Sequence, residues 1–356
     1  MSPRAAWALW ECGDKSPSRA CGIVESTNAK LSNIPNNLGM RREESTPQLL
    51  NCQPPAKPLI IPLVKLMNIM RCWLLATTLT ATLLLTGCAT HRLPKSCRVG
   101  EFAVGSQAWT FHKFTAFEAI EKTAAAGGKT IELYPDQKFS PAQPKLKLNH
   151  YLSAENIAEL KAELDKFGIR AVSYGVVVGT NETDWRQIFA FAKKMGLYGI
   201  TTDTVDAIKD LDLIEKLVKE YDIRVGIHDH PKQPKDPNYR NWDPNFLYAQ
   251  VKDHDPRIGA CADTGHWQTL NMDPLACLKI MHGRIISLHL KDRTQPGPAG
   301  HDTVYGTGTG KIAEILQELK DEGFQGHIDV EFEYDELTNQ DEVKQCIDFV
   351  RNFHPQ

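Results

Sequence analysis

Arg284-Ile285-Ile286-Ser287-Leu288-His289-Leu290-Lys291-Asp292 is an apolar run in which every second residue toward its end is polar. A strand's side chains alternate between faces, so Ser287, His289 and Lys291 share one face. Val225-Gly226-Ile227-His228-Asp229-His230 repeats the pattern, with Gly226, His228 and His230 together. In Ile328-Asp329-Val330-Glu331-Phe332-Glu333-Tyr334 the three carboxylates oppose the apolar residues. Asp263-Thr264-Gly265-His266-Trp267 closes a fourth run, and the four polar ends stand about 26 to 42 residues apart. That spacing suits successive strand-helix units, which bring strand ends together. Buried charges without partners are costly, so this lining implies something to bind. Converging imidazoles and carboxylates are what a divalent metal needs.

Working outward, eight strand-like runs span Phe102–Phe111, Lys129–Tyr134, Arg170–Val178, Gly199–Val205, Arg224–His230, Ile258–Asp263, Arg284–Leu290 and His327–Tyr334. Helical periodicity lies between them at Phe117–Ala126, Ala154–Phe167, Trp185–Met195, Leu211–Tyr221, Pro274–Met281 and Ile312–Glu322. Gly127, Gly168, Gly196 and Gly323 follow helices, where a left-handed C-cap is easiest. Eight alternations in residues 99–356 predict an α/β fold, a single (β/α)8 TIM barrel. A doubly wound sheet is the rival, but no Gly-rich phosphate loop follows the first strand.

With 42% hydrophobic and 24% charged residues the composition is globular, and the net charge of -3 gives no reason to expect a polyanion. Residues 1–70 hold eight Lys/Arg and five Asp/Glu, leaving 33 basic against 39 acidic residues beyond them. A nucleic-acid groove is not expected.

Trp73 to Leu85 is apolar, follows Lys65 and Arg71, and ends in Leu85-Thr86-Gly87-Cys88. Basic flank, apolar core and small-residue ending describe an export signal. The ending resembles a bacterial lipobox, which implies lipidation at Cys88, an exported membrane-anchored lipoprotein, and a periplasmic side in a Gram-negative cell. A transmembrane anchor is the other reading, but the core falls short of the roughly 20 residues a spanning helix needs. Residues 1–66, rich in Pro, Asn and Ser, read as a disordered extension or an over-extended start, with Met67 or Met70 as the true beginning. The expected organisation is thus 1–66 extension, 67–88 signal peptide, 89–98 linker and 99–356 barrel. Of nine cysteines, Cys97, Cys261, Cys277 and Cys346 lie beyond Cys88 without metal-finger spacing. Cys261 and Cys277 are expected in the packed body.

On Ile131-Glu132-Leu133-Tyr134, Asp263-Thr264-Gly265-His266, His289-Leu290-Lys291-Asp292 and Glu331, residues from about Val99 to Gln356 resemble the xylose isomerase-like TIM-barrel superfamily, often called sugar phosphate isomerases/epimerases. The resemblance implies one divalent ion held by a Glu, an Asp, a His and a Glu from strands five to eight. Carried across, the last three are Asp263, His289 and Glu331. Strand five departs from the pattern and offers His228. Two imidazoles and two carboxylates suit Mn, Co, Zn or Fe better than Mg.

The resemblance also implies an isomerase or epimerase acting through an enediolate on a sugar, ketosugar or cyclitol. With His228 in place of a glutamate, a symmetric two-base epimerisation loses one base, and Glu331 is the expected one. His266 is read as a substrate contact or proton relay, or else as a partner orienting Asp263. Lys291 is read as an oxyanion stabiliser, or else as an ion-pair partner of Glu333 or Asp329. Glu132 is expected in the pocket, or in a salt bridge. Gln107 and Trp109 are expected to form a floor for the substrate, with core packing the other reading for Trp109. His230 and Glu333 are expected beside the substrate. Gly306-Thr307-Gly308-Thr309-Gly310 resembles a family loop beside the site and lacks the ending of a nucleotide loop. A small-molecule carbohydrate is the expected partner; the oligomeric state does not follow from the sequence. A lyase or hydratase of keto-sugars or oxidised glycosides shares every one of these residues. A nuclease resembling endonuclease IV would need more metal ligands and a basic face. A non-catalytic sugar-binding lipoprotein is the alternative of a different class.

Overall fold

A computed structural model describes residues 93–203 and 209–356. Eight parallel strands form a nearly closed barrel: β1 (Phe102–Gln107), β2 (Thr130–Leu133), β3 (Arg170–Tyr174), β4 (Gly199–Thr202), β5 (Arg224–His228), β6 (Ile258–Asp263), β7 (Ile285–Leu290) and β8 (His327–Val330). Their order around the barrel is β3-β2-β1-β8-β7-β6-β5-β4. Between β3 and β4 the wall is joined by Tyr198 N–H to Val172 O (2.8 Å), Val177 N–H to Thr201 O (2.9 Å) and the Ser173–Thr201 hydroxyl pair (3.1 Å).

Each strand is followed by a helix: α1 (Ala116–Ala125), α2 (Ala154–Phe167), α3 (Glu182–Met195), α4 (Leu211–Tyr221), α5 (Pro244–Val251), α6 (Pro274–Ile280), α7 (Ile312–Asp321) and α8 (Gln340–Arg351). This is the expected (β/α)8 barrel. Buried residues of α1, α3, α4 and α7 join the core cluster with apolar strand residues such as Val104, Ile131, Ile227, Leu288 and Ile328. Gly168 and Gly196 are the left-handed caps foreseen for α2 and α3, at φ of 63° and 73°. The α5 and α8 helices complete the eight expected strand-helix units. The first is short and starts with Pro244 behind an Asp243 cap; the second begins without a side-chain cap.

Several strands end earlier than their sequence patterns. After Gln107 the chain turns into a 3₁₀ helix (Ala108–Phe111), because the Gln107 side chain accepts from Trp109 N–H. After Val330, Phe332 N–H goes to the Thr110 hydroxyl and Glu333 N–H to Asp302 Oδ2, so side chains replace the ladder. His230 N–H similarly goes to the Tyr239 hydroxyl, ending β5 at His228. The β3 strand stops at Tyr174, not Val178. After β1, β5 and β8 the residues released from the ladder lie at the carboxyl end of the strand, where barrel sites are built.

The opposite end is sealed by a small separate cluster. Leu93, Cys97, Ala103 and Val172 are buried there with Tyr198 against them, and Arg98–Val99 pairs antiparallel with the start of β1. The last residues of the expected linker are therefore part of the folded body. Cys97, Cys261, Cys277 and Cys346 are free and buried. The extension, the signal segment and Cys88 lie outside the described residues, among which no helix is long and apolar enough to cross a membrane.

Candidate metal centre

His228 ends β5, Asp263 ends β6, His289 is the penultimate residue of β7, and Glu331 follows β8. Parallel register sets Asp263 beside His289, and His289 beside Asp329. One donor atom from each of His228, Asp263, His289 and Glu331 lies within 4.8 Å of the others. All four side chains are buried. His228 Nδ1 and Nε2, Asp263 Oδ2, His289 Nδ1 and Glu331 Oε2 have no hydrogen-bond partner. Buried polar atoms are seldom left so, and here the unpaired atoms share one place.

In Asp263 and His289 the other polar side-chain atom is spent on orientation. Asp263 Oδ1 accepts His266 N–H at 2.8 Å and caps the short helix Thr264–Thr269, which turns Oδ2 to the cluster. Asp263 N–H in turn donates to Asp229 Oδ1 at 2.8 Å. His289 Nε2 meets Glu132 Oε1 at 3.0 Å, leaving Nδ1 for the cluster. Glu132 also accepts from Gln107 Nε2 (3.2 Å) and the Thr201 hydroxyl (2.6 Å). Glu132 and Gln107 are fully buried below the cluster's ring of donors. Second-layer groups of this kind fix which ring nitrogen faces a metal.

Lys291 is the third kind of group at the centre. It is 1% exposed, and its Nζ lies 3.0 Å from Asp263 Oδ2, 2.8 Å from Glu331 Oε2 and 2.9 Å from Glu333 Oε2. Only the last contact has hydrogen-bond geometry; the other two are ion pairs. The Lys291 stem explains Gly265, since a Cβ there would stand 2.6 Å from Lys291 Cδ. Three carboxylates against one ammonium leave net negative charge for a further cation.

Charge states follow from this packing. Burial opposes ionisation of Glu331, but Lys291 and His289 outweigh it and hold the carboxyl at about 2. Burial likewise opposes charge on Asp263, yet His266 and Lys291 keep it well below the usual range. Burial works against the Lys291 ammonium too, and Asp263, Glu331 and Glu333 carry its pKa well above normal. Burial pushes the His228 imidazole down. Burial and the Asp263 charge push the Asp229 carboxyl well above the usual carboxylate range.

Residues 201–353 match the family model described as xylose isomerase-like TIM barrel. An uncharacterised protein of Parabacteroides distasonis is 33% identical, with 69% of this chain and 97% of that chain covered at a TM-score of 0.56. The chain belongs to the xylose isomerase-like TIM-barrel family. A sugar phosphate isomerase/epimerase from Parabacteroides distasonis is 15% identical over 73% of this chain and 98% of that one, at a TM-score of 0.53. D-psicose 3-epimerase from Clostridium cellulolyticum is 16% identical over 71% and 99%, also at 0.53. These two share the fold. No curated protein matches the chain.

The other expected residues are placed as follows. His266 Nε2 lies 3.5 Å from Asp263 Oδ2, and its ring centroid is 5.5 Å from that of His228. His230 sits 4.6 Å from the His228 ring and 4.9 Å from the His266 ring. Its Nδ1 pairs with Asp203, which also accepts the Tyr239 hydroxyl at 2.6 Å. Trp109 lies at the mouth, and its Nε1–H donates to Glu333 Oε1 at 2.7 Å. Gln107 does not reach the mouth: its Nε2 goes to Glu132 and to Gly175 O at 3.0 Å. It supports the centre from below instead of forming a floor beside Trp109.

Asp203, Tyr239, Asp229 and Asp292 carry weight that sequence reasoning did not give them. Asp203 lies inside the expected run Gly199–Val205 but follows the strand, which ends at Thr202, and Tyr239 sits in an irregular segment. Asp229 and Asp292 stood inside the quoted motifs without a role. The Asp292 carboxylate accepts from Gly306 N–H (2.8 Å), Gly308 N–H (3.0 Å) and Gly310 N–H (2.7 Å), so the glycine run folds around it. A Cβ at Gly308 would stand 2.4 Å from Asp292 Oδ1. Amides that would cradle a phosphate elsewhere are occupied here by the protein's own carboxylate.

Proposed function

We propose that the chain is a metal-dependent enzyme that removes a proton next to the carbonyl of a sugar, ketosugar or cyclitol, as an isomerase or epimerase does. The observation that carries this is the Glu331 carboxylate packed with a buried ammonium, Lys291, among metal-type donors that lack hydrogen-bond partners. The names of fold relatives, a sugar phosphate isomerase/epimerase and a D-psicose 3-epimerase, support the same reading.

The donor set fits a divalent ion: His228, Asp263, His289 and Glu331 would hold it, with Mn, Co, Zn or Fe favoured over Mg by the two imidazoles. When bound, such an ion supplies Lewis-acid polarisation of a carbonyl and its neighbouring hydroxyl. Glu331 takes the proton from the carbon beside the carbonyl. The C–H electrons become a C=C bond, and the carbonyl π electrons move to its oxygen, giving an enediolate. Lys291 balances that new negative charge. Return of the proton to the neighbouring carbon isomerises the sugar; return to the other face of the same carbon epimerises it. His266 and His230 are the groups placed to contact substrate hydroxyls, with Glu333 and Trp109 at the mouth. Glu132 acts through His289.

A lyase reading is favoured by one observation. Strand five ends in His228 where the family resemblance implies a glutamate, so a second carboxylate base is missing, while the His230 and His266 rings stand nearby. In that case the enediolate expels a β-hydroxyl or aglycone, and an imidazole donates the proton to the departing oxygen. The test is incubation of the Mn- or Co-supplemented protein with a ketose and oxidised-glycoside panel in heavy water. Deuterium at the carbon beside the carbonyl supports proton abstraction, loss of water or aglycone identifies the lyase, and absence of both in every case rejects the reading. A non-catalytic sugar binder would bind without exchange and be indifferent to Glu331→Gln.

The proposal includes location. The apolar segment ending in Leu85-Thr86-Gly87-Cys88 supports export and lipid attachment at Cys88. Labelling with a fatty-acid probe, lost in Cys88→Ser, tests it.

A further inference from the structure

Among the described residues, the large hydrophobic side chains left exposed are Tyr151, Tyr334 and Leu337. All three belong to the segments following β2 and β8, at the barrel end that carries the metal-type cluster. The β1 strand lies between those two strands, and its own following turn presents Trp109 and His112. The rim at this end therefore carries aromatic side chains from the ends of three neighbouring strands. Large apolar side chains left exposed are candidates for a contact surface.

These rings are held. Trp109 stacks on His112 with centroids 3.9 Å apart and planes 11° from parallel, and it meets Tyr134 edge-on at 4.8 Å. Tyr334 stacks on His301 at 4.0 Å and 15°, yet is 43% exposed. The Tyr151 hydroxyl donates to Asp184, which also takes His150 Nε2 and the Thr180 amide and hydroxyl. Rings fixed in this way lose little freedom when a flat partner settles on them.

The rim is continuous with the reacting centre through Glu333. One oxygen of that carboxylate takes Lys291 Nζ at 2.9 Å, and the other takes Trp109 Nε1–H at 2.7 Å. A molecule with one ring at Lys291 and Glu331 has its next ring beside Trp109.

We infer that the substrate is a two-ring keto-glycoside, its carbonyl-bearing ring at the four-residue cluster and its second ring on the platform of Trp109, Tyr134 and Tyr334. This rests on the sugar chemistry proposed for the inner position. Binding of the outer ring anchors the inner one and can be spent on the barrier at the reacting carbon. The shared chemistry of the outer ring is a flat face, which either a second sugar or an aryl aglycone offers.

The test is titration calorimetry of the purified protein with glucosides, galactosides and xylosides of both anomers as unreactive analogues of the keto-glycoside, each in methyl, phenyl and glucosyl forms. In at least one series the two-ring form should bind about tenfold tighter than the methyl form. Tyr334→Ala, a surface change, should bring that ratio within about twofold and leave the methyl glycoside unaffected. Preference confined to the phenyl form identifies an aryl aglycone, and preference for the glucosyl form a disaccharide. Equal binding of one-ring and two-ring forms in every series overturns the inference, as does a ratio that survives in Tyr334→Ala. Deuterium exchange into free ketoses reports on the inner chemistry separately. Exchange without ring preference removes this inference alone; ring preference without exchange removes the proposed reaction alone.

Discussion

Glu132 Oε1 meets His289 Nε2 at 3.0 Å, and neither side chain is exposed to solvent. The pair decides which nitrogen of His289 faces the cluster. Glu132→Ala should weaken divalent-ion binding about 10–100-fold, with the ring free to turn. Glu132→Gln, which keeps an acceptor for Nε2–H, should recover part of the loss. Competition with a chromogenic chelator measures both. Unchanged affinity in Glu132→Ala would show that Glu132 does not work through His289.

Lys291 gives a prediction of opposite sign for binding and turnover. Its ammonium already neutralises Asp263 and Glu331, so it competes with a bound cation for them. Lys291→Met should bind Mn²⁺ about tenfold tighter, because two carboxylates lose their internal partner. Turnover should nonetheless fall about a hundredfold, since no group balances the enediolate charge. Parallel metal titration and deuterium-exchange rates read the two effects. A variant that loses metal along with activity contradicts this role.

Asp292 is expected to matter for stability before chemistry. Its carboxylate holds three amides of the glycine run and Arg293 N–H, all within 3.0 Å. Charge-assisted hydrogen bonds to buried amides are among the stronger ones. Asp292→Ala should cost about 2–4 kcal/mol in urea unfolding, and Asp292→Asn less. A cost below about 0.5 kcal/mol for the alanine variant would show that the loop is held by other contacts.

Asp184 gives the acid limb of the stability curve. Burial raises its pKa, but bonds from Tyr151, Thr180 and His150 outweigh this and bring it from 3.8 to about 2. The folded pKa is thus below the unfolded one. Its stabilisation is full above the unfolded value and is lost as pH falls through about 4 toward 2. The contribution is about 2 kcal/mol at most, and Asp184→Asn should flatten the curve over that range. Urea midpoints measured from pH 5 to pH 2 check it: parallel curves for the two proteins would refute the assignment.

The barrel was legible because its strands alternate strictly where they line the interior, as Ser287, His289 and Lys291 do. The cluster was legible for the same reason: period-two alternation points His228 and His289 the same way. Strand ends were not. Glu331, Phe332 and Glu333 continue the alternating pattern, but Thr110 and Asp302 take the amides of Phe332 and Glu333, a contact between segments about 220 and 31 residues away. Gln107 shows the same limit. Alternation placed it inward, and only the position of Glu132 and Gly175 shows that it lies too deep to meet a substrate. Asp203 stood in a run read as strand and was given no role, and Tyr239 reaches it around His230 from a loop with no periodicity.

Metal content by mass spectrometry, read with deuterium exchange on the same samples, tests the central claim that His228, Asp263, His289 and Glu331 form one divalent-metal centre for proton abstraction. The account predicts about one transition-metal ion per chain in the wild type. It predicts loss of both metal and exchange in Asp263→Ala and His289→Ala. A chelated, metal-free protein that still exchanges deuterium into its substrate, with Asp263→Ala unaffected, would contradict it.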